Sequence, residues 1–329
     1  MNVLWLVAAV VLCGIMIWAY GSRDVIDQQF EIPELPADLE AYLTESESRY
    51  NDIRPGLEKT ILWHDPQRKK ATELSLVYLH GFSASRAEIS PVPERVAQEL
   101  GANLFFTRLA GHGRTGEALG KTKAGEWLRD AVEALEIGRC IGREVVLMGT
   151  STGATLAFWL ALRFPDAPMR ALIQVSPNLG LRDPRSFITR FPWPRFFTSL
   201  VVGGERVWKS KNEAHAHAWT NHYPTGVGVS MVNLTREVVS CDFEKIRVSC
   251  LVIYSPKDTV VHPRKIEKSF RQLGSSKKRL LAILDAEDPD QHVITGDILS
   301  NEWVKMLLTF CVPYCVSTYA SVSAVLSAK

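Results

Sequence analysis

Glu144-Val145-Val146-Leu147-Met148 runs directly into Gly149-Thr150-Ser151-Thr152-Gly153, and an Ala- and Leu-rich segment follows to Arg163. The first five residues read as a short apolar strand and the last segment as a helix. Ser151 therefore falls at a strand-to-helix junction with a glycine two residues to either side. A nucleophile on so sharp a turn needs unusual backbone angles and no neighbouring side-chain bulk. Without the strand before it and the helix after it, such a glycine-flanked serine would carry little weight, and a glycine-rich turn that binds phosphate or nothing would be the plain alternative.

The same rhythm extends outward. Leu76-Val77-Tyr78-Leu79 ends at His80-Gly81, and Asn103-Leu104-Phe105-Phe106, Ala171 to Val175, Cys250 to Tyr254 and Leu280 to Leu284 are further short apolar runs. Segments with helical spacing lie between most of them, as at Ala87 to Leu100, Ala124 to Ile137 and Gly153 to Arg163. Apolar strands alternating with helices predict a parallel sheet covered on both faces. The alternation breaks between about Ser176 and Val248, too long an interval for one crossover helix, and an inserted cap at about 177–247 is expected there.

A serine hydroxyl needs a base. Where a serine on such a strand-to-helix turn is the nucleophile, the acid and the histidine follow it in chain order. Of eight histidines, His64, His80 and His112 precede Ser151, and His215, His217 and His222 fall in the cap. His262, just before Pro263, reads as a surface residue at a helix start. His292, in a loop after the last strand, is the expected base. Asp258 ends the Leu251-Val252-Ile253-Tyr254 strand at the same sheet edge and is the expected orienting acid; Asp285, Asp288 and Asp290 are expected to solvate the loop before His292. Acyl transfer also needs donors for a developing oxyanion. The backbone N–H of Thr152 is one candidate and that of Phe82, after Gly81, the other; His80 reads as a brace for its loop.

These motifs resemble an α/β-hydrolase fold serine hydrolase of the monoacylglycerol lipase, carboxylesterase and serine aminopeptidase-like branch. His80-Gly81-Phe82, Gly111-His112-Gly113, Gly149 to Gly153, and Asp258 with Val260, Val261 and Pro263 ahead of His292 match in order, over roughly residues 72–310. The resemblance implies a catalytic triad, a two-amide oxyanion hole, a cap over the site, no cofactor and no metal. Gly111-His112-Gly113 is then a shaping loop, although Ala110 stands where the branch often has proline. The implied activity is cleavage of carboxylic esters, with lipid or acylglycerol-type esters foremost, through an acyl-enzyme. A peptidase or amidase using the same triad is an alternative, as is an inactive membrane-tethered binding module. Asp in place of Ser151 would have indicated a dehalogenase or epoxide hydrolase.

From Val3 to Tyr20 no residue is charged. Eighteen helical residues rise roughly 27 Å, and Trp5, Trp18 and Tyr20 stand where interfacial aromatics belong. Residues 1–22 are accordingly expected to form a membrane anchor, with a cleaved signal peptide as alternative, although no Lys or Arg precedes the run. Localisation is then a single-pass membrane protein with an extracytoplasmic catalytic domain. Residues 23–56 read as a linker with a short helix near Leu39 to Tyr50, 57–310 as the hydrolase domain and 311–329 as a tail. In the cap, Phe191, Trp193 and Phe196 lie among Arg185, Arg190 and Arg195 and are expected either to pack the cap or to form an apolar rim that meets acyl chains.

Composition narrows the field. Apolar residues at 46% and charged residues at 22% indicate a globular chain. Thirty-eight basic against thirty-six acidic side chains leave no basic excess for nucleic acid. Six cysteines without paired CxxC spacing make neither a disulfide scaffold nor a zinc site.

Overall fold

A computed structural model describes residues 3–284, 286 and 288–293. Asp285, the part of the hydrolase domain expected after residue 293 and the 311–329 tail lie outside the described residues. Seven strands form the central sheet: β1 (Thr60–Leu62), β2 (Thr72–Leu79), β3 (Asn103–Phe106), β4 (Gly142–Thr150), β5 (Met169–Val175), β8 (Ser249–Tyr254) and β9 (Lys278–Ala282). They lie in the order β1-β3-β2-β4-β5-β8-β9. Only β1 is antiparallel to its neighbour. Five of the six expected runs are strands, the sixth is a strand shifted two residues earlier, ending at Ala282, and the three-residue β1 is an edge too short to see in sequence.

Why the strands read as continuous apolar runs is clear from their two faces. Side chains alternate along a strand. Val77, Leu79, Val145 and Leu147 share one core with α5 (Ala124–Ile141) and α6 (Thr152–Arg163). Leu76, Tyr78, Val146 and Met148 share the other with α3 (Val92–Leu100). Both faces are buried, so both sets of alternate positions are mostly apolar. The remaining helix of this body, α10 (Pro263–Gln272), lies against β8.

Between β5 and β8 the chain leaves the sheet. This excursion carries a 3₁₀ turn at Pro184–Arg190, then α7 (Pro194–Val202), β6 (Glu205–Val207), α8 (Glu213–Ala218), β7 (His222–Pro224) and α9 (Gly228–Val239), with β6 and β7 forming a small antiparallel pair. It sits on the loop after β2: the Thr220 N–H donates to the Ser83 carbonyl at 2.7 Å, and the rings of Phe82 and Tyr223 meet edge to face at 5.5 Å. A short helix, α4 (Gly116–Lys121), packs against β7.

The N-terminal run is helical, α1 over Val3–Tyr20. The expected membrane span is corrected, however: among the described residues no helix is long and apolar enough to cross a membrane. With 18 residues, rising about 27 Å, α1 stands only at the lower limit for a hydrocarbon core. Its last turn is also engaged by the folded domain. The Trp18 ring meets Phe191 edge on at 5.4 Å, and Arg23 lies 4.8 Å over the Trp18 ring while donating to its carbonyl. The single-pass localisation, the exported catalytic domain and the membrane partner all rested on that span and fall with it.

Residues beyond α1 lie along the body. Asp24 pairs with Arg195 at 2.7 Å, Gln28 donates to Glu237 at 2.9 Å, and the Phe30 ring packs edge on against Trp159. The helix expected near Leu39 to Tyr50 is α2 (Leu39–Ser48). Its Glu47 accepts two bonds from the Arg108 guanidinium, both 2.7 Å, in a pair whose side chains are 9% and 4% exposed. Glu47→Ala leaves that guanidinium buried without its carboxylate, and breaking a buried pair in this way costs about 3–5 kcal/mol. Denaturant unfolding should register the loss; a change below about 1 kcal/mol, the worth of an exposed pair, would mean that α2 is only loosely docked.

Candidate active site

β4 ends at Thr150 and α6 begins at Thr152, so Ser151 alone makes the turn between them. Its φ of 52° and ψ of −111° are costly for a residue with a Cβ and persist only where the surroundings enforce them. Here the Ser151 N–H donates to the Val175 carbonyl at 2.9 Å, and its own carbonyl accepts from the Asn178 and Thr155 N–H groups, each at 3.1 Å. Two residues on, a Cβ at Gly153 would lie 1.9 Å from the Leu79 carbonyl oxygen. Only glycine lets α6 start this close to β2, which fixes the Ser151 side chain at the carboxyl edge of the sheet.

The structure brings the three expected side chains together. Ser151 Oγ is 2.9 Å from His292 Nε2, and His292 Nδ1 is 2.7 Å from Asp258 Oδ2. A carboxylate can only accept, so the proton of a neutral His292 is assigned to Nδ1 and Nε2 faces the serine hydroxyl as acceptor. Asp258 is wholly buried, and its other oxygen accepts the N–H groups of Val260 and Val261 at 2.8 and 2.9 Å. Burial pulls the His292 pKa down, but the Asp258 hydrogen bond and charge outweigh it, helped by Asp288 and Glu88, and the net shift is upward.

Asp288 differs from its sequence reading. Rather than solvating the loop it is buried, and its Oδ2 accepts the His292 and Val293 N–H groups at 3.0 and 3.2 Å, while Oδ1 pairs with Lys211 of the cap at 3.1 Å. Ser176 completes the hold by donating to the His292 carbonyl at 2.7 Å. The spacing of Asp288, four residues before the histidine, was the available signal. Asp290 is exposed and takes a hydrogen bond from Thr259. His262 caps α10, and its backbone N–H donates to Gly180 rather than to any group around Ser151.

The loop after β2 is set by its histidine. His80 Nε2 accepts the Leu109 N–H at 3.1 Å, so Nδ1 bears the proton and donates to the Gly81 carbonyl at 2.9 Å. Burial, outweighing the bond to Gly81, pushes the His80 pKa down to about 4 and keeps the ring neutral. In a planar trans peptide the N–H points opposite the C=O, so holding the Gly81 carbonyl aims the Phe82 N–H away from His80. Among the described residues neither the Phe82 nor the Thr152 N–H donates to a protein acceptor. His112 is likewise buried, bonded to the Ala110 carbonyl and packed against the rings of His80, Phe82 and Trp127. Among the described residues no group of three or more His, Cys, Asp or Glu is placed to hold a metal ion.

The cap trio is separate from this cluster. Phe191, Trp193 and Phe196 are 40%, 43% and 65% exposed. Phe191 packs on Trp18 and Phe187, Phe196 on Phe197, and the Trp193 backbone N–H donates to the Ser22 carbonyl. No described ring contact or hydrogen bond links them to Ser151, Asp258 or His292.

The profile of the family described as serine aminopeptidase, S33, matches residues 70–286. A thermostable monoacylglycerol lipase from Bacillus sp. (strain H-257) is 23% identical over 231 residues, covering 68% of this chain and 84% of that protein. Among solved structures, one described under the metagenome-derived lipolytic enzymes LipS and LipT superposes with a TM-score of 0.65 at 21% identity, over 80% of this chain and 98% of its own. The monoacylglycerol lipase of Paleococcus ferrophilus gives 0.59 at 17% identity, over 79% and 98%. At these identities the structural likeness speaks for the fold.

The upward shift at His292 is directly measurable. In a proton–nitrogen NMR titration of the imidazoles, His292 should hold its proton above the ordinary value near ~6.5, and Asp258→Asn should bring it down, because the stabilising carboxylate is gone. A His292 midpoint below that of an exposed imidazole would contradict the geometry.

Proposed function

From membership of the serine aminopeptidase S33 family, to which this chain belongs as an α/β-hydrolase of the lipase and esterase type, we propose that Ser151, His292 and Asp258 are its catalytic triad. The chain is a serine ester hydrolase; the proposal adds the residues and the substrate class. The observation that carries it is the unbroken line Ser151 Oγ, His292 Nε2, His292 Nδ1, Asp258 Oδ2, with contacts of 2.9 and 2.7 Å.

Each residue has a distinct task. Ser151 Oγ attacks the ester carbonyl carbon while His292 Nε2 takes its proton. Asp258 keeps the ring oriented and stabilises the imidazolium that forms. The negative oxygen of the tetrahedral intermediate is met by the N–H groups of Phe82 and Thr152. Collapse expels the alcohol, which receives the proton from His292, and leaves an acyl group on Ser151. Water, deprotonated by the same nitrogen, then releases the acid.

Lipid or acylglycerol-type esters are the proposed substrates. The relative from Bacillus is a monoacylglycerol lipase, and the cap presents Phe191, Trp193 and Phe196 as exposed apolar surface suited to a fatty chain. Each methylene of an acyl chain buried there is worth ~0.8 kcal/mol.

A single assay series tests both parts. Glycerol monoesters of graded chain length are offered to the wild type, Ser151→Ala and Trp193→Ser, alongside thermal melts. Ser151→Ala should lose at least ~10⁴-fold in kcat with its fold kept; near-normal turnover would overturn the nucleophile. Trp193→Ser should depress long-chain turnover and spare short-chain turnover. Equal loss on both with a lowered Tm would instead make Trp193 part of the cap core.

A further inference from the structure

The geometry points to Glu88 as a positioning residue for the oxyanion hole, its carboxylate tying the loop that carries the Phe82 N–H to the strand end that carries Ser151. The inference rests on the serine hydrolase reading above and adds a residue to it.

Glu88 Oε1 accepts the Gly81 N–H at 2.6 Å and the Tyr78 hydroxyl at 2.6 Å. The Tyr78 oxygen is in turn 2.9 Å from Thr150 Oγ1. Since Tyr78 spends its proton on the carboxylate, Thr150 is the donor in that contact. One oxygen atom thus bridges two segments. Gly81 immediately precedes Phe82, and Thr150 immediately precedes Ser151. Together with His80, the hold on Gly81 is two-sided: Glu88 takes its N–H and His80 bonds its carbonyl. Both peptide planes around Gly81 are therefore fixed, and with them the direction of the Phe82 donor. The second carboxylate oxygen fills the space beside Gly81, where a Cβ would lie 2.8 Å from it and 3.5 Å from Ser151 Cβ.

A plain packing role accounts poorly for this group. Glu88 is 2% exposed and is paired with no Lys or Arg among the described residues. Burial, outweighing its hydrogen bonds to Tyr78 and Gly81 and the charge of His292, pushes its pKa up to about 7. A carboxyl in such surroundings is kept at a cost in stability, and groups of this kind concentrate at functional sites. Fixed donors aimed at a developing charge are where the cost is returned, because they need no reorganisation as the reaction proceeds.

The test separates orientation of the hole from stability and from substrate binding. An alkyl trifluoromethyl ketone, 1,1,1-trifluoro-2-octanone, reports on it. Ser151 Oγ adds to its carbonyl carbon, the serine proton passes to His292, and the resulting hemiketal oxyanion occupies the hole. Glu88→Leu, Glu88→Gln and Tyr78→Phe are compared with the wild type for kcat, KM, ketone affinity and Tm. Deleting an oxyanion donor outright costs about 10²–10³ in kcat, so a misdirected donor in Glu88→Leu should cost about 10–100-fold. Ketone affinity should fall by the same factor, with KM held within about 3-fold, because uniform binding is untouched. Glu88→Gln, which still offers an acceptor to both partners, should recover most of the loss, and Tyr78→Phe should show the same pattern with a smaller drop. Unchanged ketone affinity in Glu88→Leu would overturn the assignment; so would unchanged affinity in Tyr78→Phe, which decides the matter should the leucine variant not fold. A wild type that forms no hemiketal at all would instead overturn the nucleophile assignment, and this inference with it.

Discussion

The pairing of β2 with β4 at the centre of the sheet is the constraint on which the site depends. Leu79 lies opposite Gly149 in that register, so the two chains leave the sheet side by side. The loop with Phe82 and the turn with Ser151 are neighbours for this reason alone. Gly153 then lets α6 start against the Leu79 carbonyl, since a Cβ there would lie 1.9 Å from its oxygen. Asp258 and His292 arrive from farther along the same edge, after β8 and β9. No single loop builds the cluster; parallel strands ending on one edge do.

Much of this was legible because parallel strands buried on both faces leave a strong signature. The runs at Leu76, Asn103, Glu144, Ala171 and Cys250 contain little that could face water, and each is a strand; the Leu280 run falls on the half-exposed edge strand β9, which ends at Ala282. Ser151 was legible because glycines at 149 and 153 have few other uses between such a strand and a helix. Chain order and position at the sheet edge then separated His292 from His262, and the structure puts only His292 beside Ser151. Asp288 was misread because an acidic loop looks solvated in one dimension; its burial depends on the fold bringing Lys211 and the His292 backbone to it. Glu88 was invisible for a similar reason. Its partners Tyr78 and Gly81 precede it in the chain, but their convergence on one oxygen depends on how the loop after β2 turns back. For α1, hydropathy registered the absence of charge, while the docking of Trp18 against Phe191 and Arg23 is a tertiary fact.

Polar burial around the site follows one logic. Asp258, His80, Asp288 and Glu88 are all nearly inaccessible, and each has hydrogen-bond partners that fix either a ring or a peptide plane. Asp258 orients His292 through the side chain, and Asp288 with Ser176 holds its backbone from both ends. His80 and Glu88 hold the loop opposite. Buried polar networks of this kind give direction rather than net stability, and direction is what a charge developing on a single oxygen requires. Asp288 also touches the cap through Lys211, so the His292 backbone and the cap share one carboxylate.

The central claim is that Ser151 carries the acyl group during turnover. Rapid quenching of the enzyme with a p-nitrophenyl ester, followed by intact-mass and peptide-mass analysis, measures this directly. The expected result is a burst of one p-nitrophenol per chain and an acyl mass increment on the peptide that contains Ser151. An increment on another residue, or steady hydrolysis with no covalent acyl group at any quench time under conditions that trap such intermediates in other serine esterases, would contradict it.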